Sequence, residues 1–177
     1  MSLFPQLLSF LIFALFLSSC SVLDEQSFSV SGAPVDLVLH EQYESNTLLI
    51  VQSVDSPDIE GKLKDRGLPV SMLTSIKFEQ VSLRIADADT DFDIGSIEEL
   101  RLDLVAGDSA PVTVANGSFA GWEGSSALLT LEDVELLDYL ESPTIEYRLT
   151  LTVTDQPSKS VNLEIEPVFT VGTSLFN

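Results

Sequence analysis

Ile145-Glu146-Tyr147-Arg148-Leu149-Thr150-Leu151-Thr152-Val153-Thr154 alternates without a break, apolar at every odd position and polar at every even one. That period of two is the signature of a strand with one face on a core and the other in water. Asp155-Gln156-Pro157-Ser158-Lys159-Ser160 then reads as a turn. Val161, Leu163, Ile165, Phe169 and Val171 resume the alternation, with Asn162, Glu164 and Glu166 on the opposite face. Two such runs around a short polar turn predict an antiparallel hairpin. Pro167 interrupts the second run, which favours an edge position or a bulge there.

Shorter runs precede these. Val35, Leu37 and Leu39 alternate with Asp36 and His40, and the continuous run Leu48-Leu49-Ile50-Val51 suits a strand covered on both faces. Val81-Leu83-Ile85, Leu100-Leu102-Leu104, Val112-Val114 and Leu129-Leu131 complete the set. About eight short strands separated by turn residues predict an all-β fold, an antiparallel β-sandwich. Two short helices break the pattern. Ser56 caps the first, Pro57 opens it, Asp58 lies in its first turn, Ile59 and Leu63 share a face, Lys62, Lys64 and Arg66 sit near its C-terminus, and Gly67 ends it before Pro69. The second runs from Val134 to about Leu140, with Leu136, Leu137 and Leu140 in one stripe and Pro143 forcing the exit. Both are expected to close the ends of the sandwich.

The first residues read differently. Leu7 to Leu17 is an apolar run too short to span a bilayer comfortably, and it closes on Leu17-Ser18-Ser19-Cys20, the chain's single cysteine. An aliphatic residue, two small residues and a cysteine resemble the lipobox of bacterial lipoproteins, although Met1 to Gln6 lacks the Lys or Arg usual in such leaders. The resemblance implies cleavage before Cys20, a diacylglycerol on its sulfur and an amide-linked acyl chain on its new amino group. At about 0.8 kcal/mol per buried methylene, several chains would hold the protein permanently at a membrane. Ser21 is not the Asp that retains such proteins at the inner membrane, so the resemblance implies the outer membrane, lipid-anchored, on its periplasmic side or at the cell surface. Asp24-Glu25 resembles the short acidic stretches that send some lipoproteins to the surface. Residues 1–19 are thus read as signal peptide, 20–27 as lipidated N-terminus and tether, and 28–177 as the sandwich domain.

With the first 19 residues removed, 158 remain, enough for one domain with a sizeable core. Eight Lys and Arg face 28 Asp and Glu, a formal net charge of −20. Such a surface repels phosphate backbones, so no nucleic-acid partner is expected. A single cysteine forms no disulfide within the chain, and the core must stabilise the fold unaided.

One stretch invites a metal reading. Asp87, Asp89, Asp91, Asp93 and Glu98 fall at positions 1, 3, 5, 7 and 12 of a twelve-residue count, the spacing of a helix–loop–helix calcium loop. Phe92, however, stands at position 6, where that loop needs glycine, and the flanks read as strands. The competing expectation is a solvated connection with Phe92 and Ile94 dipping into the core. Gly117 to Ser126 is a Gly/Ser-rich loop holding Phe119 and the only tryptophan, Trp122. These two aromatics are candidate binding residues, or a lid on the open end of the sandwich.

Catalysis finds little support. His40 is the only histidine, with no cysteine partner and no Gly-x-Ser-x-Gly elbow, so no catalytic residue is assigned. Carboxylate pairs such as Glu98-Glu99 and Glu132-Asp133 are too common here to single out a glycosidase site. The expectation is a non-catalytic, lipid-anchored binding or assembly module of the cell envelope, without a cofactor, whose partners are the membrane and an envelope protein or glycan. The alternative is a calcium-dependent adhesion or structural module using Asp87 to Glu98.

Overall fold

The computed structural model describes residues 25–41, 43, 45–87 and 90–174. The stretch read as signal peptide, Cys20 and Asp89 lie outside the described residues. Ten strands form two antiparallel five-stranded sheets, a β-sandwich with few and short helices. The first sheet holds β1 (Glu25–Ser31), β2 (Val35–Leu39), β4 (Leu73–Ile85), β7 (Ser126–Leu128) and β10 (Val161–Ser174). The second holds β3 (Thr47–Asp55), β5 (Ile97–Ala106), β6 (Val112–Ser118), β8 (Thr130–Leu131) and β9 (Thr144–Val153), in the order β3-β9-β5-β6-β8. Two strands exceed the eight expected. One is β1, which takes Glu25, Gln26 and Ser27 from the segment read as tether. The other arises because Leu129–Leu131 is the corner where the chain leaves β7 in one sheet for β8 in the other.

The expected hairpin does not form. The two alternating runs are β9 and β10, and they belong to opposite sheets. β9 pairs with β3 and β5, while β10 pairs with β1, β2 and β4. Each run has one apolar face, and the core lies between those faces: Ile145, Tyr147, Leu149, Leu151 and Val153 from one, Val161, Leu163, Ile165, Phe169 and Val171 from the other. Alternation reports which face is buried. It does not report whether the neighbour lies beside the strand or across the core.

Pro167 is likewise not at an edge. β10 is continuous through it and pairs Pro167 with Val81 of β4. Its carbonyl accepts from Gly32 N–H at 2.9 Å, and in an antiparallel strand a residue's N and C=O face the same side. That side is the gap between β1 and β2, which meet β10 end to end, so the missing N–H removes no bond to β4. A register shift between Val168 and Phe169 follows directly, as the bulge reading anticipates.

The run Leu48–Val51 also departs from expectation. It lies in β3, at the edge of its sheet, with Leu48 buried but Leu49 63% and Val51 46% exposed. Among the described residues no second layer covers them.

The helices are shorter than predicted. α1 (Ile59–Asp65) is capped by Asp58, whose side chain accepts from Gly61 N–H at 2.8 Å. Ser56 instead donates its hydroxyl to the Ser142 carbonyl, tying the two helical connections together. Ile59 and Leu63 are buried, and Gly67, at φ 70°, ends the turn as expected. α2 (Leu137–Leu140) keeps one turn of the stretch expected from Val134, after Glu135 accepts from the Ile76, Leu136 and Leu137 amides. Tyr147 and Phe169 are the largest fully buried side chains. Phe169 stacks on Phe78 at 4.8 Å, and burial raises the Tyr147 phenol well above its usual range.

Candidate functional site

Six of the nine connections cross between sheets, after β2, β3, β4, β6, β7 and β9. Four of these gather at one end of the sandwich, beside the first residues of β10: residues 40–46, 86–96, 119–125 and 154–160. Both candidate stretches read from the sequence therefore lie at this loop end. Gly95 brings them into contact. A Cβ there would fall 2.4 Å from the Trp122 carbonyl oxygen and 3.2 Å from its nitrogen, so only glycine admits this approach.

The carboxylates of the acidic stretch are engaged separately. Asp87 accepts from the Asn162 amide at 2.6 Å and from its side-chain nitrogen at 3.1 Å. Those bonds, the backbone one first, hold the Asp87 carboxyl below the usual carboxylate value. A bond from the Ser158 hydroxyl does the same for Asp91. Asp93 caps a 3₁₀ turn at Ile94–Ser96, accepting from the Ser96 amide at 2.9 Å and its hydroxyl at 3.1 Å. Glu98 is exposed on β5, while Phe92 and Ile94 are buried in the core. Among the described residues no group of three or more His, Cys, Asp or Glu comes together to hold a metal ion. The described carboxylates fasten β10, its preceding loop and the turn before β5.

Phe119 and Trp122 divide their roles. Phe119 is buried at 5% exposure and belongs to the core, so it offers nothing to a ligand. Trp122 is 47% exposed and meets the Phe119 ring edge-on at 6.4 Å. Its amide donates to the Phe119 carbonyl at 2.8 Å and its indole N–H to the Ser126 carbonyl at 3.1 Å. The ring is thus fixed by its polar atom and one edge, with much of its surface in solvent beside exposed Glu123. An indole so placed can stack on an apolar or cationic group. Neither the proximity of the two loops nor the exposure of Leu49 and Val51 had a local signal in the sequence, because both follow from strand order.

Concavities lie elsewhere on the described residues. A cleft of about 520 Å³ opens at the opposite end, between α1 and α2, lined by Ile59, Val70, Leu73 and Leu137. A shallow groove of about 780 Å³ crosses the outer face of the second sheet, lined by Thr47, Arg101, Thr113, Asn116, Thr130 and Thr150. His40 is exposed at the end of β2.

No protein-family model matches the sequence, and no curated protein does. Among solved structures, the chain is similar to one in the cryo-EM structure of Mud crab tombus-like virus, at 10% identity and a TM-score of 0.32, over 86% of this chain and 92% of that one. A likeness of that size carries no inference about function.

Proposed function

We propose that the chain is a lipid-anchored, non-catalytic binding or assembly module of the cell envelope. It would be held through Cys20 at the outer membrane and present its loop end away from the lipid. One observation supports this polarity. Glu25, five residues after Cys20, pairs with Ser174 at the far end of β10, whereas the loops carrying Trp122 and the acidic stretch sit where β10 begins. Fourteen strand residues span about 40 Å, so the exposed indole stands roughly that far from the tether. An envelope protein or glycan meeting Trp122 would do so clear of the headgroups. Calcium-dependent adhesion finds less support, because Asp87, Asp91 and Asp93 already hold the chain's own amides and hydroxyls.

The test is the anchor itself. Cys20→Ala should abolish metabolic labelling with a fatty acid and release the chain from membranes, or leave its precursor uncleaved. Unchanged labelling and fractionation would remove the reading.

A further inference from the structure

We propose that the free edge of β3 is where two copies of this chain pair, antiparallel about a two-fold axis at Ile50. Exposed strand edges are ordinarily blunted by charge, proline or brevity. β7 and β8 have three and two residues, β2 starts directly after Pro34 and carries Asp36, and β1 turns Ser27, Ser29 and Ser31 outward. β3 has none of these protections. From Thr47 to Val54 it holds no charge, proline or glycine, and its outer face carries the exposed Leu49 and Val51.

The backbone is oriented for pairing. Val153 N–H donates to Asn46 C=O and Ser56 N–H to Pro143 C=O, so even-numbered residues of this strand face β9. Thr47, Leu49, Val51 and Ser53 therefore turn their N–H and C=O off the sheet. The Ser45 hydroxyl accepts from the Thr47 amide and the Gln52 side chain donates to the Ser53 carbonyl, each at 3.2 Å. Leu49 and Val51 keep both backbone groups turned toward an added strand.

The strand is complementary to itself. An axis at Ile50 sets Leu49 opposite Val51 of the second copy, and Val51 opposite its Leu49. Each pair exchanges two backbone hydrogen bonds and covers both exposed apolar side chains. An axis at Val51 would instead put Leu49 against Ser53 and Thr47 against Asp55. A second copy therefore supplies an apolar partner to both exposed side chains in one isologous contact. With a formal charge of −20, two copies repel each other over most of their surface. From Thr47 to Val54 the β3 edge is uncharged, and Arg148 beside Val51 is already paired with Glu146 at 2.5 Å.

Cysteine cross-linking in the full chain, in mild detergent with Cys20→Ala, tests both contact and register. Across the proposed axis Ile50 faces itself with Cα atoms about 4.5 Å apart, within disulfide reach. Ile50→Cys should convert most of the protein to a covalent dimer of twice the 19.3 kDa chain. Leu128→Cys, at a position on β7 more exposed than Ile50, and Val51→Cys should each give less than about a tenth as much, and Leu49→Lys should suppress the Ile50→Cys dimer about tenfold. No dimer from Ile50→Cys, equal dimer from Leu128→Cys or Val51→Cys, or indifference to Leu49→Lys would overturn the proposal. Sedimentation equilibrium of the Cys20→Ala chain against its Val51→Lys variant gives a second reading without a new cysteine. Dimer lost in the variant supports the edge contact, and identical masses reject it.

Discussion

β10 has β4 along one side and β1 and β2 along the other, whereas among the described residues β3 is flanked by β9 alone. In β10 every odd residue from Val161 to Thr173 is buried, while β3 buries only Leu48. The two strands show that a residue's cost depends on the direction in which its groups point. A proline in the central strand is tolerated because its nitrogen faces the gap where β1 gives way to β2. An apolar run at the edge leaves two large side chains and their backbone groups open to an added strand.

Core deletion should separate the two strands most widely. Phe169→Ala removes a fully buried ring stacked on Phe78 and should lower stability by about 3–5 kcal/mol in urea unfolding. In the Val51→Lys background, where β3 pairing is blocked, Leu49→Ala should change it by no more than about 0.5 kcal/mol. Equal losses there would mean that β3 is covered within the chain itself.

A smaller effect is expected where β1 turns into β2. A Cβ on Gly32 would lie 2.8 Å from Pro167 Cγ and 2.9 Å from Phe169 Cε2. Gly32→Ala should therefore cost about 1–3 kcal/mol, read in the same unfolding assay. A wild-type midpoint would show that Pro167 has room to move and that the gap is looser than described.

Acid should touch β10 and spare β3. The Asp87 carboxyl lies below its ordinary value of 3.8 because Asn162, on β10, donates to it. Its contribution is therefore complete above that value and is lost as the pH falls through the lower, folded one. The Asn162 amide proton should shift in NMR spectra with a midpoint under 3.8, while the Leu49 amide stays still, since β3 has no titratable side chain before Asp55. A midpoint above 3.8, or a still Asn162, would dissolve the clamp.

Much of the sandwich was legible because alternation is local. The odd residues of β9 and β10, Leu100-Leu102-Leu104 and Val35-Leu37-Leu39 all face the core where periodicity placed them. What periodicity could not supply is partnership. It joined β9 to β10 as a hairpin although they face each other across the core, and it read Leu48–Val51 as doubly covered because an apolar run has no mark for an edge. The helix cap was misplaced by two residues because Ser56, Pro57 and Asp58 all suit a helix start, and only the bond to Gly61 selects Asp58. In the acidic stretch, spacing suggested convergence on an ion. The described side chains diverge, toward Asn162, Ser158 and Ser96, each satisfied by a neighbour far away or adjacent in sequence.

The length of β10 also bears on the proposed function, since it separates Glu25, five residues after Cys20, from the loop end. Trp122 is the only tryptophan, so its fluorescence reports one place. With the protein held in vesicles containing brominated lipids through the acyl chains proposed on Cys20, quenching requires the indole to approach the acyl region. The tethered orientation predicts an emission intensity within a few per cent of that in unbrominated vesicles, because Trp122 stands about 40 Å from Glu25 along the strand direction. Strong quenching of the membrane-bound protein would place the loop end against the lipid and contradict the proposed orientation.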